Sequence, residues 1–156
     1  GQRVALLLAR EGAEVSLASR QRERASLTVM AVQAKAPGAR LEAAAVAGPD
    51  DLAAALEGRT LVFAAGAAGV VLLPKAARLE CPTLRVTVDL NAVPPLGVEG
   101  VEAGDKGKER DGVIGYGALG VGDLKMKVHR AAVARLFESN DQILDAEQVY
   151  ALAKAF

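Results

Sequence analysis

The sequence has 156 residues, the size of one domain, and its 19 basic and 19 acidic residues cancel. A chain without net charge offers no long-range field to nucleic acid or to an anionic membrane surface. Its single cysteine, Cys81, can form neither an internal disulfide nor a cysteine-based metal cluster, which fits a reducing cytoplasm.

Hydrophobic residues reach 51% but aromatics only 3%, so the core must be built from Ala, Val and Leu, as suits thin helix-on-sheet layers. Gln2 to Glu11 carries Val4, Leu7 and Leu8 at helical spacing and stops at Gly12, a glycine cap. Gly1 stands directly before it, where the third glycine of a dinucleotide fingerprint would let helix and strand pack closely. On this reading the first strand of the fold is missing. Glu14 to Ala18 is a short buried strand that ends abruptly in Ser19-Arg20. In a doubly wound sheet the end of the second strand holds the adenosine ribose, and an acidic residue there selects NAD. Ser19 with Arg20, aided by Arg22 or Arg24, would instead hold the 2′-phosphate of NADP. A solvated, arginine-rich helix start is the plain alternative.

A second helix follows, with Leu27, Met30, Ala31 and Ala34 on one face, closed by Pro37-Gly38. Leu41 to Val46 is a modest strand, and Asp50-Asp51 open a short helix whose dipole they complement. Thr60 to Ala65 is a continuous apolar run, expected to be a central parallel strand buried on both faces. It empties into Gly66-Ala67-Ala68-Gly69, which either lets a ligand approach the backbone or simply makes a tight turn. Val70, Leu73, Ala76 and Ala77 predict a helix with Pro74 in its first turn. Leu84 to Leu90 is the next strand, and beyond it Asp89 and Asn91 point to the same crevice as Ser19 and Gly66.

The glycine- and charge-rich segment 97–112 reads as a surface loop with local strand content, and Val113 to Tyr116 as a last strand. In Gly117 to Arg130, Asp123 is the expected N-cap, and Leu124, Val128, Ala132 and Leu136 form a buried stripe. Lys125 and Lys127 then fall in the first turn, where the helix dipole opposes them by roughly 0.3–1 kcal/mol. A negative group nearby would explain Lys125, as would snorkelling to solvent. His129 has no identifiable carboxylate partner. Asp145-Ala146-Glu147-Gln148 is a capping box before a closing helix whose Val149, Leu152, Ala153 and Phe156 share one face. The fold class is α/β, a Rossmann-like doubly wound parallel sheet with helices on both faces, over residues 1–156.

Several of these motifs carry a family resemblance. Gly1 to Glu11, Ala64 to Ala67, Asp89 to Gly97, Asp105 to Glu109 and above all Gly117 to Arg130 are similar to the C-terminal cofactor domain of the NAD(P)-dependent methylene-tetrahydromethanopterin dehydrogenases of methylotrophic bacteria. The resemblance implies a two-domain enzyme that moves hydride from the methylene bridge of a reduced pterin carrier to NADP or NAD in formaldehyde oxidation. Gly1 would face the pyrophosphate, Ser19 and Arg20 the adenosine phosphate, and Ala65, Gly66 and Ala67 the dinucleotide body. Asn91 would lie near the nicotinamide, and Lys125 matches the family's active-site lysine. No metal is implied. The partners it implies are the pterin carrier, an N-terminal catalytic domain absent from this sequence and further copies of the chain, without nucleic acid or membrane. A non-catalytic dinucleotide-binding module, or a folate- or shikimate-type NADP dehydrogenase domain, would share the architecture.

Overall fold

A computed structural model describes residues 1–156. Its elements run α1 (Gln2–Arg10), β1 (Val15–Ser19), α2 (Arg22–Gln33), β2 (Leu41–Ala45), α3 (Pro49–Leu56), β3 (Leu61–Ala64), α4 (Lys75–Leu79), β4 (Val86–Asp89), β5 (Lys106–Arg110), β6 (Val113–Tyr116), α5 (Ala118–Leu136) and α6 (Ala146–Ala153). None of the helices is long and apolar enough to cross a membrane.

The strands form two sheets. β1 and β2 pair in parallel, with Ser19 opposite Ala45 at their carboxyl ends. The other sheet has the order β3-β4-β6-β5, parallel from β3 to β6, with β5 antiparallel at its edge. β3 therefore has β4 as its single neighbour, and Leu61 is exposed, whereas its continuous apolar run predicts a central strand. A run buried on both faces and a run at an open edge look alike in sequence, since neither alternates.

Two apolar clusters match the two sheets. Ala5, Leu6 and Ala9 of α1 pack with Val32 and Ala36 over β1 and β2. Leu56, Ala64, Leu73, Leu84, Val98, Val101 and Val113 form the other, with Cys81 buried among them. Only 25 of the 156 residues are buried, so the clusters stay separate and much of α5 and α6 remains uncovered. Ala5, Leu6 and Ala9 face the core where Val4, Leu7 and Leu8 were expected to lead. In α2 the inward face is Ala25 and Val32, while Leu27 and Met30 are exposed. Small side chains let a helix sit close to its strands, and that closeness turned the larger ones outward.

Three local expectations hold. Gly12 takes a positive φ of 86° after α1. The Asp51 carboxylate accepts from the amides of Ala47 (2.9 Å) and Gly48 (3.2 Å) at the start of α3. Asp145 caps α6, accepting from Glu147 N (2.7 Å) and Gln148 N (3.2 Å), while Gln148 accepts from Asp145 N (3.1 Å). Two others fail. α4 begins at Lys75 with Pro74 as its N-cap, because Leu73 is held extended in a bridge to Val98. α5 begins at Ala118, five residues before the expected cap, so Asp123 lies inside the helix.

Candidate functional site

The parallel strands β1, β3 and β4 end at Ser19, before Ala65 to Ala67 and before Asn91, the usual ligand edge of an open α/β sheet. At the end of β1 a cleft of about 260 Å³ is lined by Gly1, Gln2, Leu17, Ala18, Ser19, Arg24, Ala25 and Thr28. Gly1 and Ser19 thus line one cleft, whereas Gly66, Asp89 and Asn91, expected in the same crevice as Ser19, are not in its lining. Arg20 is exposed and outside the lining; Arg24, in the first turn of α2, is the arginine that lines it. Ser19 Oγ accepts from the Gln21 amide at 3.3 Å, which leaves its own proton free to donate. No carboxylate lines the cleft.

Gly1 also links this cleft to β3. A Cβ added at Gly1 would lie 3.9 Å from both Cβ and the carbonyl oxygen of Ala65, so the start of α1 passes over the end of β3 in ordinary contact. The following Gly66, Ala67 and Ala68 are exposed at that edge. Gly66 has a packing role as well: a Cβ there would come within 2.8 Å of Leu72 Cδ1.

At the carboxyl end of β4, Asp89 and Asn91 do not point outward. Asp89 is 1% exposed, and its carboxylate accepts from Asn91 N and Val98 N, both at 2.9 Å. Gly97 leaves room for it, since a Cβ there would sit 2.9 Å from Asp89 Oδ1. Asn91 in turn accepts from Val93 N (2.9 Å) and donates to Pro95 O (3.3 Å). The pair therefore braces the loop 91–98 from within. A buried carboxylate is held there because two backbone donors meet it. Spacing alone could not distinguish a loop brace from a ligand contact.

The Gly117-x-x-Gly120 pattern explains the early start of α5. Gly117 N donates to Asp105 O (2.9 Å), and Leu119 N (2.8 Å) and Gly120 N (3.2 Å) donate to Ala103 O. Carbonyls of the loop 102–105 thus satisfy amides that a helix start leaves open. Any side chain at Gly117 or Gly120 would collide with that loop. The loop is fixed by Asp105, 5% exposed, which accepts from Glu102 N (2.8 Å) and from both arms of Arg110. The Arg110 guanidinium holds the Asp105 carboxyl below the usual carboxylate range. Sequence reasoning missed this pair because charges in a glycine-rich run ordinarily signal a solvated loop.

Asp123 pairs with Lys106 of β5, which lowers the Asp123 pKa. Lys125 and Lys127 lie two turns or more inside α5 rather than in its first turn, so the dipole argument for Lys125 does not apply. Lys125 is exposed and forms no ion pair. Of the expected stripe, Val128 and Ala132 are buried, whereas Leu124 is 49% and Leu136 46% exposed. Arg78 is the other unforeseen charge: it is 2% exposed and donates to Asp111 Oδ2 at 2.6 Å and to Arg110 O at 3.1 Å.

Two bacterial proteins are similar to this chain. It is 46% identical over 144 residues to the bifunctional protein MdtA of Methylorubrum extorquens, which takes in 92% of this chain and 50% of that protein. It is 32% identical over 108 residues, 67% of the chain, to the NAD(P)-dependent methylenetetrahydromethanopterin dehydrogenase of the same species, of which it covers 36%. The chain thus spans half or less of the length of these relatives. No protein-family model matches it.

Proposed function

We propose that this chain is the dinucleotide-binding part of an NAD(P)-dependent dehydrogenase that oxidises methylene-tetrahydromethanopterin to its methenyl form in one-carbon metabolism. The observation that carries the reading is the cleft at the end of β1, where Gly1, Ser19 and Arg24 meet without a carboxylate. The similarity to the NAD(P)-dependent methylenetetrahydromethanopterin dehydrogenase of Methylorubrum extorquens supports the reaction class. On this reading the two sheets are halves of one doubly wound sheet, with a strand from an N-terminal part of the protein between β1 and β3, and the enzyme works as a cytoplasmic homo-oligomer.

The donor set of the cleft suits a phosphorylated ribose: a free serine hydroxyl, a guanidinium and no competing acid. When bound, the nicotinamide supplies the hydride acceptor. Gly1 opens α1 over Ala65 in ordinary contact and would face the pyrophosphate at this helix start. Ser19 and Arg24 hold the adenosine end, while Arg20, expected there, lies outside the cleft lining. Ala65, Gly66 and Ala67 present a flat backbone surface to the dinucleotide body. Asn91, locked by its own hydrogen bonds, sets the loop beside the nicotinamide site. A methylene carbon between two nitrogens stabilises the cation left by hydride departure, so orientation is the protein's main task. Lys125 is assigned to the carrier, orienting the pterin from an exposed helix face.

The test is turnover of the full-length protein with purified methylene-tetrahydromethanopterin and either NADP or NAD, followed by reduced-nicotinamide absorbance. Formation of reduced cofactor with this carrier supports the reading. Dinucleotide binding without turnover of any methylene carrier would instead mark a non-catalytic module.

A further inference from the structure

Three arginines follow Ser19, and only one of them reaches the cleft. Arg24, Ala25 and Thr28 lie at i, i+1 and i+4 on α2, and the packing of Ala25, 2% exposed, fixes which way that face turns. Thr28 Oγ1 donates back to the Arg24 carbonyl at 2.9 Å, so the Thr28 proton is spent on the helix. That leaves Ser19 as the free hydroxyl donor and Arg24 as the charged fork on the same cleft. Arg20 and Arg22 are exposed and lie outside the lining. No carboxylate lines the cleft, and Arg24 has no ion-pair partner.

We infer that Arg24, and not Arg20, sets the preference of this protein for a dinucleotide carrying a ribose 2′-phosphate, with Ser19 as the second donor. The inference rests on the proposed dinucleotide site and assigns its selectivity. A phosphate monoester offers oxygens that a planar guanidinium meets in a two-point contact, whereas an unphosphorylated ribose offers hydroxyls that a carboxylate would hold better. Arg20, at the strand end, has the sequence position expected of the determinant but not the placement.

The experiment measures NADP and NAD dissociation constants by titration calorimetry for the full-length wild type and for Arg24→Gln, Arg24→Lys and Arg20→Gln. Glutamine removes the charge and keeps most of the stem. The wild type should prefer NADP, and Arg24→Gln should cut that preference by about tenfold or more, as befits a lost charge-assisted contact. Arg24→Lys should recover part of it, retaining charge without the fork. Arg20→Gln should change the preference by no more than about threefold, as for an exposed charge. Thermal melts of the variants exclude misfolding as the cause. A wild type that binds both dinucleotides equally, or an Arg20→Gln effect larger than that of Arg24→Gln, overturns the assignment alone. A wild type that binds neither overturns the dinucleotide site, and the assignment with it.

Discussion

Gly120 and Gly122 lie two residues apart in α5, and replacing each by alanine should move stability in opposite directions. Glycine to alanine inside a helix ordinarily stabilises by about 1 kcal/mol. Around Gly122 there is nothing within 4 Å of an added Cβ, so that variant should gain the full amount. At Gly120 the added Cβ would lie 2.7 Å from the carbonyl carbon of Asp105 and closer still to its oxygen. Carbon–oxygen contacts settle at about 3.3 Å or more, so the helix and the 102–105 loop would have to separate. The hydrogen bonds from Gly117, Leu119 and Gly120 to that loop would go together. At about 1 kcal/mol each, their loss outweighs the helix gain and leaves Gly120→Ala destabilised by about 2 kcal/mol. The melting temperature should fall for Gly120→Ala and rise about half as much for Gly122→Ala. Circular-dichroism melts and urea unfolding of the full-length protein measure both. A Gly120→Ala protein that melts at or above wild type would refute the close approach of loop and helix.

Lys125→Ala should reduce kcat/KM for the pterin carrier by at least about tenfold while leaving the dinucleotide dissociation constant in place. Lys127, roughly 200° further around the helix, is the control, and equal effects of the two alanine variants would remove Lys125 from the site. Acid should weaken the 102–105 loop. The Asp105 carboxyl is held below its unfolded value by Arg110, so its contribution is complete above about pH 4 and is lost as pH falls through the folded-state value. The gap in urea midpoint between wild type and Asp105→Asn should therefore be largest near neutrality and narrow below about pH 4. A gap unchanged down to pH 3 would show that the ion pair contributes nothing.

The sequence by itself determined whatever depends on near neighbours in the chain. The capping box at Asp145, the positive-φ cap at Gly12, the acidic opening of α3 and the strand end at Ser19 are all local, because each is closed by groups within a few residues. The grouping of Gly1 with Ser19 was legible because a strand, a turn and a helix at fixed spacing bring them to one edge. What only the tertiary structure decided concerns partners far along the chain. Asp123 looks like a cap until carbonyls from the 102–105 loop reach the amides before it. Asp89 looks like a ligand contact until Val98, nine residues on, donates to it from within. Arg20 and Arg24 look interchangeable until the burial of Ala25 fixes the rotation of α2. Charged side chains answer to whichever opposite group or open amide the fold brings within hydrogen-bonding reach, and sequence spacing does not encode that distance.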